Sequence, residues 1–140
     1  MVEQGKTLYD AGQFAQAVKV LQQAAEDFKA SGERLSQAMT LSNLSLAFEQ
    51  LGQWEQANSA IAQSLNLLQS KQNKDNSIER AHILAQSLDV QGKLQLARGQ
   101  AEAALTTWQQ AAKIYTQVGD SSGTTRNRIN QAQSMQALGL

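Results

Sequence analysis

The sequence has no cysteine, no proline, a single histidine, few aromatic residues and no net charge, with twelve Lys plus Arg set against twelve Asp plus Glu over 140 residues. Each absence excludes something. Without cysteine there is no disulfide framework, no thiol nucleophile and no cysteine-ligated zinc. The lone His82 has no second His or Cys to share a metal, so it reads as a surface or packing residue and no metal or cofactor is expected. Balanced charge removes the positive field that nucleic-acid and anionic-membrane binders carry, so neither partner is expected. No window approaches the ~18 apolar residues of a membrane span, and the opening Met1-Val2-Glu3-Gln4-Gly5-Lys6 lacks a signal-peptide core. A cytoplasmic location is the corresponding expectation. What the chain does contain is Ala, Gln, Leu and Glu in abundance, which with the missing proline points to an all-α fold.

An internal repeat organises these residues. Gly12, Gly52, Gly99 and Gly139 recur at intervals of 40, 47 and 40 residues. The first three open Gln13-Phe14-Ala15-Gln16-Ala17, Gln53-Trp54-Glu55-Gln56-Ala57 and Gln100-Ala101-Glu102-Ala103-Ala104, and the fourth is followed only by Leu140. Seven residues before each glycine stands a small residue, Gly5, Ser45, Gly92 or Ala132, a place for close helix contact. Gly32 and Gly119 fall twenty residues after Gly12 and Gly99, where a second helix of each unit stops in a left-handed turn. In the middle unit that place is Gln72, inside the polar run Lys71-Gln72-Asn73-Lys74-Asp75-Asn76, which reads as a longer loop.

Apolar periodicity places the helices. Phe14, Val18, Leu21, Ala25 and Phe28 form a one-faced stripe, as do Ala101, Leu105, Trp108, Ala112 and Tyr115. Trp54, Ile61, Leu65 and Leu68 form the middle stripe, interrupted by Asn58, and both tryptophans are thereby assigned to the core. About seven helices are predicted, near residues 2 to 11, 14 to 30, 34 to 51, 54 to 70, 77 to 98, 101 to 117 and 122 to 138, paired antiparallel through glycine turns.

A small residue, a seven-residue gap, a turn glycine and an alanine five positions later resemble the tetratricopeptide repeat, over nearly the whole chain. The units, about 1–32, 33–73, 77–119 and a partial 121–140 in a single domain, are longer than the usual version and look like its extended subclass. The bulky residue expected three positions after the small one is Leu8, Phe48 and Met135, but Gln95 in the third unit. Leu41-Ser42-Asn43-Leu44-Ser45-Leu46-Ala47, Leu51-Gly52-Gln53-Trp54 and Ile129-Asn130-Gln131-Ala132-Gln133 further resemble repeats that precede caspase-like CHAT peptidase domains in bacterial multidomain proteins. The resemblance implies a right-handed α-α superhelix of hairpins, a non-enzymatic solenoid whose concave groove binds a protein or peptide segment.

The family's ligand-facing offsets carry over residue by residue. Nine positions before the turn glycine lie Glu3, Asn43, Val90 and Asn130, and the resemblance makes Asn43 and Asn130 candidates for holding a peptide backbone, since an amide both donates and accepts. Six before lie Lys6, Leu46, Lys93 and Gln133, and three before lie Tyr9, Glu49, Leu96 and Gln136. With Asp10, Asp89 and Arg126 these make a groove of mixed charge, and many of them read equally well as solvated helix residues. A chaperone-type carboxylate clamp is not supported, because Val2, Gln86 and Val90 stand where Lys or Arg is needed. No catalytic residues are indicated: Glu33, Glu49, Glu55, Asp89 and Glu102 are scattered, and no phosphate loop or nucleophile motif is present. The chain reads as a fragment of a longer array whose last helix lacks a cap. The alternative function is self-association, a homodimer through that uncapped C-terminal helix with Leu138 and Leu140, or a spacer in a larger protein.

Overall fold

A computed structural model describes residues 2–70 and 77–140. Seven helices account for nearly all of them: α1 (Val2–Asp10), α2 (Phe14–Ser31), α3 (Arg34–Gln50), α4 (Trp54–Gln69), α5 (Ile78–Ala97), α6 (Ala101–Val118) and α7 (Ser121–Ala137). Every predicted helix boundary falls within one residue of these limits, and no strand occurs among the described residues. The predicted loop at residues 71–76 lies outside the described residues. The chain divides into two compact units, Met1–Lys74 and Asp75–Leu140.

One turn geometry ends the helices at regular intervals. Gly52 adopts a φ of 71°, its N–H reaches back to the Glu49 carbonyl at 2.9 Å, and the Gln53 N–H closes onto the Phe48 carbonyl at 3.0 Å. These two bonds satisfy carbonyls that the helix end would leave bare, and only glycine takes this left-handed conformation without a Cβ penalty. The Gln53 carbonyl then accepts from the Ala57 N–H, so α4 starts as soon as α3 stops. Gly12, Gly32, Gly99, Gly119 and Gly139 share the positive φ.

In the first unit α1 packs on α2, α2 on α3 and α3 on α4; α1 also touches α3, whereas no contact joins α2 and α4. In the second, α5, α6 and α7 each touch the other two. The alanine five residues after Gly12, Gly52 and Gly99 is fully buried in each case: Ala17, Ala57 and Ala104 are all 0% exposed. With no side chain beyond Cβ, it lets the second helix of a hairpin lie close against the first. The α3 helix, flanked by α2 and α4, buries Ala38, Leu41, Leu44, Ala47 and Phe48 around much of its circumference, and so lacks the single stripe of α2, α4 and α6.

The small residues before the glycines behave as expected in three of four places. A Cβ at Gly92 would stand 2.5 Å from Trp108 Nε1, and one at Gly5 would stand 2.6 Å from a Leu21 methyl, so both positions demand hydrogen. Ser45 is fully buried and donates its hydroxyl to the Ala57 carbonyl at 2.7 Å. Ala132 is instead exposed, since no described helix lies on that side of α7. A second correction concerns the tryptophans. Trp108 is 1% exposed, but Trp54 is 36% exposed, because it opens α4 at the turn, one full turn before the contact made by Ala57.

Candidate functional site

In the first unit, the expected ligand-facing residues lie on α1 and α3, helices in direct contact. Lys6 on α1 is exposed; Tyr9, Asn43 and Glu49 are half-buried. The Tyr9 ring meets Phe14 of α2 edge-on at a centroid distance of 5.2 Å, which fixes the phenol at the hairpin turn. Beneath them, hydroxyls join α3 to α4. Ser64 donates to the Ala38 carbonyl at 2.7 Å, and because a hydroxyl has one proton, the 3.1 Å contact between Ser42 and Ser64 has Ser42 as donor.

In the second unit the counterparts lie on α5 and α7. Lys93, Arg126 and Gln133 are exposed, Asn130 is half-buried, and Val90 is buried, so among the four ladder positions only Asn43 and Asn130 present an amide. Asp89 is turned inward. Its carboxylate accepts the Tyr115 hydroxyl of α6 at 2.6 Å and the Asn127 amide of α7 at 3.2 Å, and its backbone carbonyl accepts Trp108 Nε1 at 3.1 Å. Asn127, fully buried, also donates to the Trp108 carbonyl at 2.8 Å and accepts from Gln131 at 2.6 Å. One carboxylate thus joins three helices.

Electrostatics follow from this burial. Loss of water raises the Asp89 carboxyl above its ordinary value, opposed by the hydrogen bonds of Tyr115 and Asn127 and by the charge of Arg126. Tyr115 is pushed well upward, first by burial and then by its bond to Asp89. A raised value in the folded state means that both groups favour the fold while protonated, with stability lost as pH rises through the folded value. Asp120 is held low, first by the Gly123 backbone N–H and then by His82. Its contribution has the opposite sign, present above the unfolded value and lost as pH falls through the folded one.

His82, expected to be a surface or packing residue, has a specific partner: its Nε2 lies 2.6 Å from Asp120 Oδ2, and its ring meets Tyr115 edge-on at 6.2 Å. No group of three or more His, Asp or Glu able to hold a metal occurs among the described residues. No described helix is long and apolar enough to cross a membrane.

Three features escaped sequence reasoning. Gln95, which replaces the expected bulky residue, accepts the Thr107 hydroxyl of α6 at 2.7 Å, so the third unit joins its hairpin there by a hydrogen bond. The buried Asn127 had a signal: twelve residues before the glycines stand Thr40, Ser87 and Asn127, all polar and all fully buried. The third is a cleft of about 470 Å³ between α2 and α4, floored by Leu41, Leu44 and Phe48 and edged by Gln22, Gln56 and Gln63. It opens because the backbones of those two helices stay more than 8 Å apart.

Across the first helices, Lys6, Lys93 and Arg126 are exposed cations, Asn43 and Asn130 half-buried amides and Tyr9 a half-buried ring. A family model described as tetratricopeptide repeat matches residues 1–70, half of the chain. A search of curated proteins finds no match.

Proposed function

Because the chain belongs to the tetratricopeptide repeat family, whose members are protein-interaction scaffolds, we propose that it captures an extended or helical segment of a partner protein along the first helices of its hairpins. In this reading Lys6, Tyr9, Asn43 and Glu49 serve one unit, and Asp89, Lys93, Arg126, Asn130 and Gln133 serve the other. The observation that carries it is the pair of half-buried amides, Asn43 and Asn130, at the same offset before Gly52 and Gly139. A half-buried amide is held in place by its surroundings yet keeps donor and acceptor open to a peptide backbone. Lys93 and Arg126 add charge for acidic side chains, and Asp89, already holding two internal donors, adds field more than a direct bond.

Stacked helices meet much of the ordering cost before the partner arrives, so each polar contact contributes about 1 kcal/mol to affinity. A photo-crosslinker placed at Gln133 identifies the partner segment, and titration calorimetry with that segment measures the amides. Asn43→Ala and Asn130→Ala should each weaken binding about fivefold with unchanged helicity. Unaltered affinity in both variants would remove the amide ladder from the proposal.

A second reading rests on α7 and the turn that follows it, where Ile129, Met135, Leu138 and Leu140 are exposed. Such a face supports self-association, or a spacer role in a larger protein, provided that it is covered by another helix. Sedimentation decides it: a dimer that dissociates when Leu138 and Leu140 are made polar supports this reading, and a monomer at all concentrations ends it.

A further inference from the structure

We propose that His82 and Asp120 form a proton-controlled clasp that fastens the N-terminal end of α5 to the start of α7. The two residues are 38 positions apart, yet imidazole and carboxylate meet at 2.6 Å with side chains 41% and 19% exposed, close enough for a strong bond and open enough to exchange protons with water. Asp120 has two tasks. Its Oδ1 accepts the Gly123 N–H at 2.8 Å and caps α7, while Oδ2 faces His82, so the carboxylate that begins one helix also grips another.

Groups from three helices surround the ring. From α6, the Tyr115 ring meets His82 nearly at right angles with centroids 6.2 Å apart, and its hydroxyl proton is committed to Asp89. From α7, Arg126 acts electrostatically on Asp120, Asp89 and Tyr115. On α5 itself the charged neighbours are Glu79, Arg80 and Asp89. Asp120 is the group in direct contact with the imidazole, and it is held ionised by its cap bond.

The sign of the effect follows. A protonated His82 donates to an ionised Asp120 with full charge assistance; a neutral ring keeps at most an uncharged hydrogen bond. The clasp is therefore tight where the imidazole is charged and Asp120, whose carboxyl is held below the usual carboxylate range, is ionised. The bond weakens when the ring is neutral, and in stronger acid the carboxylate protonates and the cap weakens with it. The device acts on the second unit, where α7 also carries Arg126, Asn130 and Gln133.

The chain has one histidine and two tryptophans, which makes the test clean. In a Trp54→Phe background, fluorescence of the buried Trp108 reports the melting of α5, α6 and α7. Its midpoint should be about 2–4 °C higher at about pH 5.5 than at pH 8. The difference should shrink in His82→Gln, leaving only the part that the raised Asp89 carboxyl contributes. It should shrink by the same amount in Asp120→Ser, where a hydroxyl still caps α7 but offers no negative charge to the imidazole. A pH difference that is unchanged in either variant, or one of opposite sign in the parent chain, overturns the clasp.

Discussion

The two units use the same turn and the same buried alanine, but they bridge their helices with different chemistry. In the first, Ser42, Ser45 and Ser64 link α3 to α4 through hydroxyls and backbone carbonyls, with no ionisable group in the chain of bonds. In the second, Gly92 replaces Ser45 and makes room for the Trp108 indole, while Asp89, Tyr115 and Asn127 connect three helices through a carboxylate. A repeat therefore specifies where two helices approach, not what joins them. The consequence is a difference in sensitivity: the hydroxyl links are indifferent to pH, whereas the carboxylate links are ionisable and answer to it.

The largest expected break in this comparison is Trp108→Ala. It opens a cavity over Gly92 and removes the indole bond to the Asp89 carbonyl, so it should cost about 3–5 kcal/mol by denaturant unfolding. Ile61 stands at the same distance from its turn glycine in the first unit, and Ile61→Ala should cost less because the hydroxyl links remain. An equal loss would show that the two units depend on this position alike. Next comes Asn127→Ala, which removes the amide that bridges the Trp108 carbonyl and the Asp89 carboxylate, at about 1–3 kcal/mol. A near-zero cost, measured the same way, would make the three-helix junction incidental. The smallest effect belongs to Trp54→Ala, about 0.5–1 kcal/mol, since its ring sits at the turn and keeps much of its surface in water. A loss comparable to that of Trp108 would mean that the turn edge bears core weight.

Most of the helical architecture was legible in the sequence, because its causes are local. Turn glycines spaced by 40 residues and stripes such as Phe14, Val18, Leu21 and Ala25 set helix limits to within one residue. Errors arose where burial depends on a neighbour. Trp54 shares a register with Phe14 and Ala101 yet lies at the rim, and Ala132 shares one with Gly5 and Gly92 yet faces solvent. The candidate site was legible to a lesser degree. Offsets from the glycine selected Asn43 and Asn130, but no periodicity says that Asp89 turns inward to Tyr115 or that His82 meets Asp120, pairs separated by 26 and 38 residues.

The sequence by itself determined that these residues form helices, where each one stops, and which positions must be small. Those outcomes follow from hydrogen-bond closure at a left-handed glycine and from the 3.6-residue period, forces that act within a few residues. The tertiary structure alone decided which polar side chains are paired, which carboxyl group is raised and which is lowered, and which apolar residues remain in water. Such properties depend on distances between helices that lie far apart along the chain, and these distances exist only once the helices have packed.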